Sequence, residues 1–314
     1  MHAMPRPGTW AQISEEAADR RWLRVGLGVL WIVDALLQLQ PGMFTMDMTS
    51  DIMQPSATGE PPWLQHSIDF SIRVITPHLV FVNLVIVIVQ AGIGLALLLG
   101  SPRQRVWGAW ASIIWGALVW YFGEGLGQLL TGSATFLAGA PGSVLLYGLA
   151  GAILLSPGPA LPWLRLGRYT VSWALALASA VLVLGGFLQL NPLFFTTLGL
   201  AAPVGQGAMM AQPRWIQSSL GWALIGIQAA PVWINLGLVL ALVALAILVL
   251  VRGRSLWVMV ALGSFLTLVW WFGQDVGGLF TGMATDPNTA VPLMLLTWAG
   301  YVRAPKEMKE SDPG

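Results

Sequence analysis

The chain contains one segment that occurs twice, about 150 residues apart. Residues 120–135 read WYFGEGLGQLLTGSAT, and residues 270–285 read WWFGQDVGGLFTGMAT. Shorter matches precede both segments in the same register: 37–44 with 188–195, 63–67 with 215–219, and Asn83 with Asn235. A tandem repeat of this length predicts two copies of one structural unit, so each candidate residue can be compared with its counterpart in the other copy.

The composition predicts that both copies lie in a membrane. Hydrophobic residues make up 56% of the chain and charged residues 9%, and the mean hydropathy is +0.72, which excludes an ordinary soluble domain. Crossing the hydrocarbon of a bilayer takes roughly 20 apolar residues in a helix. We therefore expect an all-α integral membrane protein with eight spans, four in each copy: 22–40, 77–99, 106–130, 141–156, 169–190, 231–251, 255–280 and 288–302.

Two further apolar stretches, 62–76 and 213–230, leave three alternatives open. They could be additional spans, helices at the outer membrane surface, or kinked extensions of the helices that begin at Pro77 and Pro231. A span at 62–76 would move Arg103 and Arg105 to the outer side, against the positive-inside rule. We therefore expect outer interfacial helices at both stretches.

The distribution of basic residues predicts the orientation. With four spans per copy, nearly all Arg and Lys residues fall on one side, which we assign to the cytoplasm of a multi-pass inner (cell) membrane protein with both termini inside. An even number of spans makes the two four-helix repeats parallel, with a pseudo-twofold axis along the membrane normal. The predicted segments are a cytoplasmic N-terminal segment 1–21, a first repeat 22–156, a cytoplasmic linker 157–168, a second repeat 169–302 and a cytoplasmic tail 303–314.

Several kinds of cofactor and partner are not expected from the residues. Cysteine is absent, which removes disulfides, iron–sulfur clusters and cysteine-ligated zinc from the protein itself. The chain has three histidines, His2, His66 and His78, and the counterparts of the last two are Ser218 and Ala230, so we expect no haem held between helices. No phosphate loop, zinc helix or basic nucleic-acid-binding face occurs in the sequence. Membrane lipid is the expected surrounding.

Polar residues within the predicted spans of the first copy are the candidate site residues, because an ionised group at the bilayer centre costs about 2.5–3.5 kcal/mol on insertion scales. Asp34 and Gln38 are four residues apart and share one face of the first helix. Glu124, Gln128 and Thr131 form a stripe along the outer end of the third helix. These groups converge toward the outer leaflet, and we expect Glu124 to exchange protons.

The second copy contributes a parallel set of candidate ligand-binding residues: Gln189, Gln274, Asp275 and Thr281. Gln274 is the counterpart of Glu124 and carries no charge, so the two copies differ electrically at this point. Gly123 and Gly127 have the small-xxx-small spacing that is typical of close helix packing rather than of a ligand cradle. Asp275 alternatively reaches the outer membrane interface.

Methionines and histidines in the first outer loop form a second candidate site. Met46, Met48 and His66 offer soft ligands suited to copper(I). Methionine also packs irregular loops, and this reading is favoured because the second copy keeps only Met209 and Met210.

Two segments carry a family resemblance: 21–40, RWLRVGLGVLWIVDALLQLQ, and 89–103, VQAGIGLALLLGSPR. They resemble the DoxX/DoxD-like four-helix membrane proteins, the first copy more closely than the second. The resemblance implies a relation to the membrane subunits of thiosulfate:quinone oxidoreductase and to other redox components of membranes. Such proteins usually have an acidic residue where this chain has Gln90 and, in the second copy, Leu242.

Two functions remain open at this point. The first is a membrane subunit that binds a quinone or similar lipophile in the outer half of the bundle and docks a soluble or membrane redox partner. The second is a transporter or channel for a small solute or a cation, copper included, with a site between the two repeats that holds Asp34 and Glu124.

Overall fold

The computed structural model describes residues 16–166 and 169–302. The first 15 residues of the predicted N-terminal segment, residues 167 and 168 of the predicted linker and the predicted tail 303–314 lie outside these ranges. The described chain is helical, as predicted. Among the described residues, three helical runs are long and apolar enough to cross a membrane: Pro62–Leu99, Pro231–Arg252 and Leu256–Gly273.

The first half of the chain contains six α-helices: α1 Ala18–Leu37, α2 Gln54–Ala57, α3 Pro62–Ile75, α4 Leu79–Leu99, α5 Pro102–Phe122 and α6 Ser143–Leu154. Helix α1 packs along α4, and α5 packs along both α4 and α6. The segment Met48–Met53 forms π-helical turns before α2.

The second half also contains six α-helices: α7 Trp173–Gln189, α8 Thr197–Met209, α9 Arg214–Ala229, α10 Pro231–Arg252, α11 Leu256–Leu268 and α12 Ala290–Tyr301. Helix α7 packs along α10, and α12 packs against α11, α7 and α1. One buried hydrophobic cluster includes side chains of both halves, among them Trp31, Tyr147, Leu182 and Leu242. The halves therefore share a core.

The described residues include two strands, where no strand was expected. Strands β1 Trp163–Leu166 and β2 Tyr169–Ser172 pair antiparallel within the predicted linker and the start of the fifth predicted span. Helix α7 therefore begins at Trp173 and not at residue 169. Ser172 caps its N-terminus, because the Ser172 side chain accepts a hydrogen bond from the backbone N–H of Leu175. Trp163 lies beneath the guanidinium of Arg254, 4.8 Å from the ring centroid.

The predicted spans 106–130 and 255–280 are too long at their C-terminal ends. Helix α5 ends at Phe122, and the π-helical turn that continues α11 ends at Gly273. Each is followed by a turn in which four successive residues have positive φ, Gly125–Gln128 in the first half and Asp275–Gly278 in the second. A Cβ on Gly127 would collide with the backbone of Pro141, so only glycine fits this position.

The stretches 62–76 and 213–230 are helical and lie next to the helices that follow them. Helix α3 joins α4 through a 3-10 turn at Thr76–His78, so the two form one helical run of 38 residues. Helix α9 is separated from α10 by Ala230, whose φ of −151° and ψ of 56° break the helix. The first junction has the geometry of a kinked extension and the second that of two separate helices, so the expectation of outer interfacial helices stays a prediction.

Basic side chains gather at one end of the bundle, which we name the arginine end. The Arg24 guanidinium pairs with the carboxylate of Glu16 at 2.7 Å and donates to the backbone carbonyl of Leu97 at the end of α4. Arg20 donates to carbonyl oxygens at the end of α6, including that of Ser156 at 2.8 Å. The start of α1 and the ends of α4 and α6 therefore lie together, and the connections 38–78, 123–142, 190–230 and 274–289 lie at the opposite, loop end.

The same hydrogen bonds recur in both halves. The Asn83 side-chain amide donates to the backbone carbonyl of Gln38, and Asn235 donates to that of Gln189, both at 2.8 Å. The indole N–H groups at two repeated tryptophans also have matching acceptors: Trp120 donates to the Pro141 carbonyl at 2.7 Å, and Trp270 donates to the Pro287 carbonyl at 2.8 Å. Each of these hydrogen bonds joins two segments of the same half at the loop end.

Candidate functional site

Two cavities at the loop end have candidate site residues in their walls. The larger, of about 620 Å³, has residues of both halves in its wall, including Glu124, Gln128, Gln206 and Asp286; we name it the vestibule. The smaller, of about 380 Å³, lies among α1, α3, α4 and α5 and is walled mainly by aliphatic and aromatic side chains; we name it the apolar cavity. Asp286 belongs to both walls.

Four residues in the wall of the apolar cavity each have a buried polar atom without a hydrogen-bond partner among the described residues. The atoms are Asp34 Oδ2, Gln38 Oε1, Gln90 Oε1 and Trp115 Nε1. An unsatisfied buried polar group costs about 1–3 kcal/mol, and most buried polar groups in proteins are paired. Three acceptors and one donor on the residues of one cavity wall form a pattern that a ligand with a small polar head would satisfy.

Asp34 is fixed in this cavity by the core of the first half. It is fully buried in α1, and its Oδ1 accepts a hydrogen bond from the Tyr147 hydroxyl at 3.3 Å. Tyr147 is held in turn by an edge contact with Trp31, whose indole N–H donates to Ser112 Oγ. The other oxygen of Asp34, Oδ2, has no hydrogen-bond partner in the described part of the chain.

Glu124 and Asp286 meet at one hydroxyl group between the two cavities. Ser143 Oγ lies 2.8 Å from Glu124 Oε1 and 2.6 Å from Asp286 Oδ1. Glu124 Oε1 also accepts the backbone N–H of Ser143, and Asp286 Oδ1 accepts that of Asn288. Glu124 Oε2 has no partner, and a Cβ on Gly142 would collide with it. The second half supplies Asp286 to a site that is otherwise built by the first.

The electrostatics of this site favour the protonated form of Glu124, which lies beyond the C-terminal end of α5. Burial of its carboxyl group, with a further contribution from the charge of Asp286, raises the pKa of Glu124 to about 8, although hydrogen bonds from Ser143 and Val144 oppose the shift. Within residues 16–166 and 169–302, no Arg, Lys or His lies in the wall of either cavity. Asp34 and Tyr147 are the other titratable groups next to the site.

The Glu124→Gln substitution is expected to reduce the pH dependence of stability. Between the ordinary pKa of 4.5 and the folded value of about 8, the folded protein binds more protons than the unfolded chain, so the free energy of unfolding falls as the pH rises through this window. The Tm of the wild type should fall by about 4 °C or more between pH 5 and pH 8.5, and Glu124→Gln should remove most of that fall. Asp275→Asn, at a carboxyl that is only partly buried, should remove less. An unchanged pH profile of Glu124→Gln in scanning calorimetry would contradict this assignment.

The predicted residues of the first copy divide between the two cavities. Asp34 and Gln38 line the apolar cavity, as expected from their shared face. Glu124 and Gln128 line the vestibule, but the predicted helical stripe is wrong because the helix has already ended. Thr131 is not in the vestibule wall, and its hydroxyl donates to the backbone carbonyl of Gln128 in its own turn. Gly127 likewise serves the turn and not helix packing.

The predicted residues of the second copy are paired within the protein. The Gln189 amide donates to Asn235 and accepts from Thr135. Gln274 Oε1 accepts the backbone N–H of Ala290 at 2.9 Å, and its Nε2 donates to the carbonyl of Phe136. Two other candidates also have internal partners: Asp275 accepts from the Gln212 amide at 2.8 Å, and Thr281 donates to the Gly278 carbonyl. None of the four lines either cavity.

The proposed copper ligands do not line a common cavity. Met48 is buried beside Met43 and Leu79 and lies in the wall of the apolar cavity. Met46 is 63% exposed, and His66 is exposed on α3; neither lines the vestibule or the apolar cavity. Within residues 16–166 and 169–302, no group of three or more His, Asp or Glu side chains is placed to hold a metal ion.

Several residues of the site were not predicted from the sequence. Gln90 was singled out only through the family resemblance, and Trp115 was not separated from the other 16 tryptophans. Asp286 immediately follows the repeated segment, at the position where the first copy has Phe136. This difference between the two copies, an acidic residue in place of an aromatic one, was the signal in the sequence that could have identified Asp286.

Comparison with known proteins adds no further constraint. No protein-family description, curated protein or solved structure matches this chain. The resemblance to DoxX/DoxD-like proteins therefore stays a prediction, and the function has to be argued from the geometry of the two cavities.

Proposed function

We propose that this chain is an integral membrane protein that binds a quinone, or a lipophile with a similar polar head, in the apolar cavity. The observation that carries the proposal is the set of four unpaired polar atoms in an otherwise apolar wall. A quinone has two carbonyl acceptors and its reduced form has two hydroxyl donors. Trp115 Nε1 suits a carbonyl, and the oxygens of Asp34, Gln38 and Gln90 suit hydroxyls.

The surface of the helices supports a membrane location. Exposed apolar side chains on α4 recur at intervals of seven residues, at Phe81, Ile88 and Leu95, and those on α10 recur at the counterpart positions. These intervals place each set on one face of its helix, which a soluble protein would rarely leave uncovered. We propose that these faces contact lipid and that the loop end lies on the outer side of the inner membrane.

The proposed topology has eight spans in two parallel four-helix repeats. The helices α1, α4, α5 and α6 form the first repeat and α7, α10, α11 and α12 the second, with a pseudo-twofold axis along the membrane normal and both termini in the cytoplasm. The matching Asn and Trp hydrogen bonds and the two left-handed turns support this arrangement. In this orientation the arginine end faces the cytoplasm, in agreement with the positive-inside rule.

The second repeat lacks a counterpart of the apolar cavity's polar groups. By sequence register, Asp34 corresponds to Gly185, Gln90 to Leu242 and Trp115 to Phe265. A Cβ on Gly185 would lie 2.9 Å from the ring of Phe136, which is fully buried. Phe136 thus fills the place where an acidic side chain stands in the first repeat, so we propose one lipophile site per chain.

The vestibule favours a second candidate, a transporter of a small solute or a cation between the two repeats. Its wall takes Glu124 and Gln128 from the first half and Gln206, Asp286 and Asn288 from the second, so a rocking motion of the halves would change it. The apolar cavity has no role in this alternative. Docking of a redox partner, by contrast, belongs to the first proposal and rests on the family resemblance.

Analysis of co-purified lipid separates the two candidates. The protein, purified from its membrane in mild detergent, is expected to retain about one quinone per chain, measured in an organic extract against an empty-vector preparation. Protein reconstituted in liposomes should show no solute or cation flux above that of protein-free liposomes. Flux without bound quinone would favour the transporter and overturn the lipophile site.

A further inference from the structure

The contact among Glu124, Ser143 and Asp286 requires one proton more than the three side chains carry when both acids are ionised. The Ser143 hydroxyl has one hydrogen, yet its oxygen lies within hydrogen-bond distance of both carboxyl groups. A single hydrogen shared by both acceptors would leave two carboxylates facing one hydroxyl. Two full hydrogen bonds form only if one carboxyl is protonated and donates to Ser143 Oγ, while the Ser143 hydroxyl donates to the other. A cation could also relieve the repulsion, but among the described residues no Arg, Lys or His lines either cavity.

A second observation directs this cluster toward a ligand. Asp34, which is fully buried, lies in the same cavity wall as Asp286, and its Oδ2 has no partner among the described residues. On the other side, Glu124 and Ser143 belong to the vestibule wall. The cluster therefore spans the partition between an apolar space and a polar one.

We propose that Glu124, Ser143 and Asp286 share a single proton and form a relay between the apolar cavity and the vestibule. This inference rests on the proposed lipophile site, for which it supplies a route for the proton of a hydroxyl head group. When Asp286 is the protonated partner, its O–H bond breaks as the proton moves to Ser143 Oγ, and the Ser143 proton moves to Glu124 Oε1. No electron moves, the total charge is unchanged, and the reverse transfer restores the starting state.

The arrangement explains why the two repeats differ at this point. Gln274, the counterpart of Glu124, accepts a backbone N–H at its oxygen and donates from its nitrogen to the Phe136 carbonyl. An amide satisfies this geometry without a proton that can move. The first repeat has a titratable carboxyl with a free oxygen in the same place, and it faces Asp286 instead of Phe136.

Infrared spectroscopy of the full-length protein tests the shared proton without any ligand. The number of protonated carboxyl groups at pH 7 is counted from their C=O absorption, which shifts in D₂O. Glu124→Gln should lose one such group, and the double variant with Asp286→Asn should lose no more than that one. Asp286→Asn and Ser143→Ala should each keep the group, because burial still raises the pKa of Glu124. Both should shift its C=O band, since the proton is no longer shared across the hydroxyl, and Ser143→Thr, which keeps the hydroxyl, should leave the band in place.

Two results would overturn the relay. If the double variant loses two groups, each acid holds its own proton; if neither Asp286→Asn nor Ser143→Ala shifts the C=O band of the remaining group, the proton belongs to Glu124 alone. Thermal unfolding monitored by circular dichroism shows which variants are folded, and Ser143→Ala with Ser143→Thr decides the question if a carboxyl variant is not. Because no lipophile is added, failure of this test leaves quinone binding standing, and failure of quinone binding leaves the shared proton standing.

Discussion

A single cysteine introduced at position 46 or 209 is expected to react with a membrane-impermeant maleimide added to sealed right-side-out vesicles, and one at position 104 or 255 is not. The chain has no cysteine of its own, so the background is zero. Met46 and Met209 are 63% and 82% exposed at the loop end, whereas Gln104 and Ser255 lie beside the basic residues of the arginine end. The bilayer should make the difference nearly all-or-none.

Permeabilised vesicles provide the control for this labelling. All four cysteines should react once the reagent reaches both sides, which shows that Gln104→Cys and Ser255→Cys are accessible in the folded protein. Reaction at position 104 in sealed vesicles would remove the proposal of four spans per repeat. It would also place the two cavities on the cytoplasmic side.

Much of the helical framework could be predicted because long apolar runs have few alternatives in a membrane. The repeat added to this, since a feature found in one copy could be sought in the other. The ends of α5 and α11 could not be predicted in the same way. Residues 124–131 have a pattern of apolar and polar side chains that is compatible with a helix. The left-handed turn at Gly125–Gln128 depends on packing against Pro141, which lies outside this segment of the sequence.

The candidate site was predictable where it depends on spacing within one helix. Asp34 and Gln38 share the apolar cavity because they are four residues apart in α1 and at its C-cap. Gln90 and Asp286 come from α4 and from the far end of the chain, and only the packing of the two halves brings them to the same wall. The prediction for Glu124 anticipated a buried carboxyl but placed Thr131 beside it instead of Ser143.

The vestibule was expected in outline and not in detail. A site between the repeats was one of the two functional hypotheses, and the vestibule has both halves in its wall. The residues expected from the second copy, Gln189 and Gln274, are used for internal hydrogen bonds. Sequence register could not reveal this, because a buried amide with two partners and a buried amide with none look identical in a sequence.

The most direct test of the central claim is equilibrium binding of a radiolabelled, short-tailed benzohydroquinone to the protein in lipid nanodiscs. One molecule is expected to bind per chain. Gln90→Leu, which introduces the residue found at the counterpart position 242, should weaken binding by roughly tenfold to a hundredfold, because a probe hydroxyl loses its acceptor in an apolar wall, at about 1–3 kcal/mol. The same change at Gln206, which lines the vestibule and not the apolar cavity, should alter the dissociation constant by less than about threefold. Equal binding by the wild type and Gln90→Leu, or loss of binding in Gln206→Leu alone, would contradict a lipophile site in the apolar cavity.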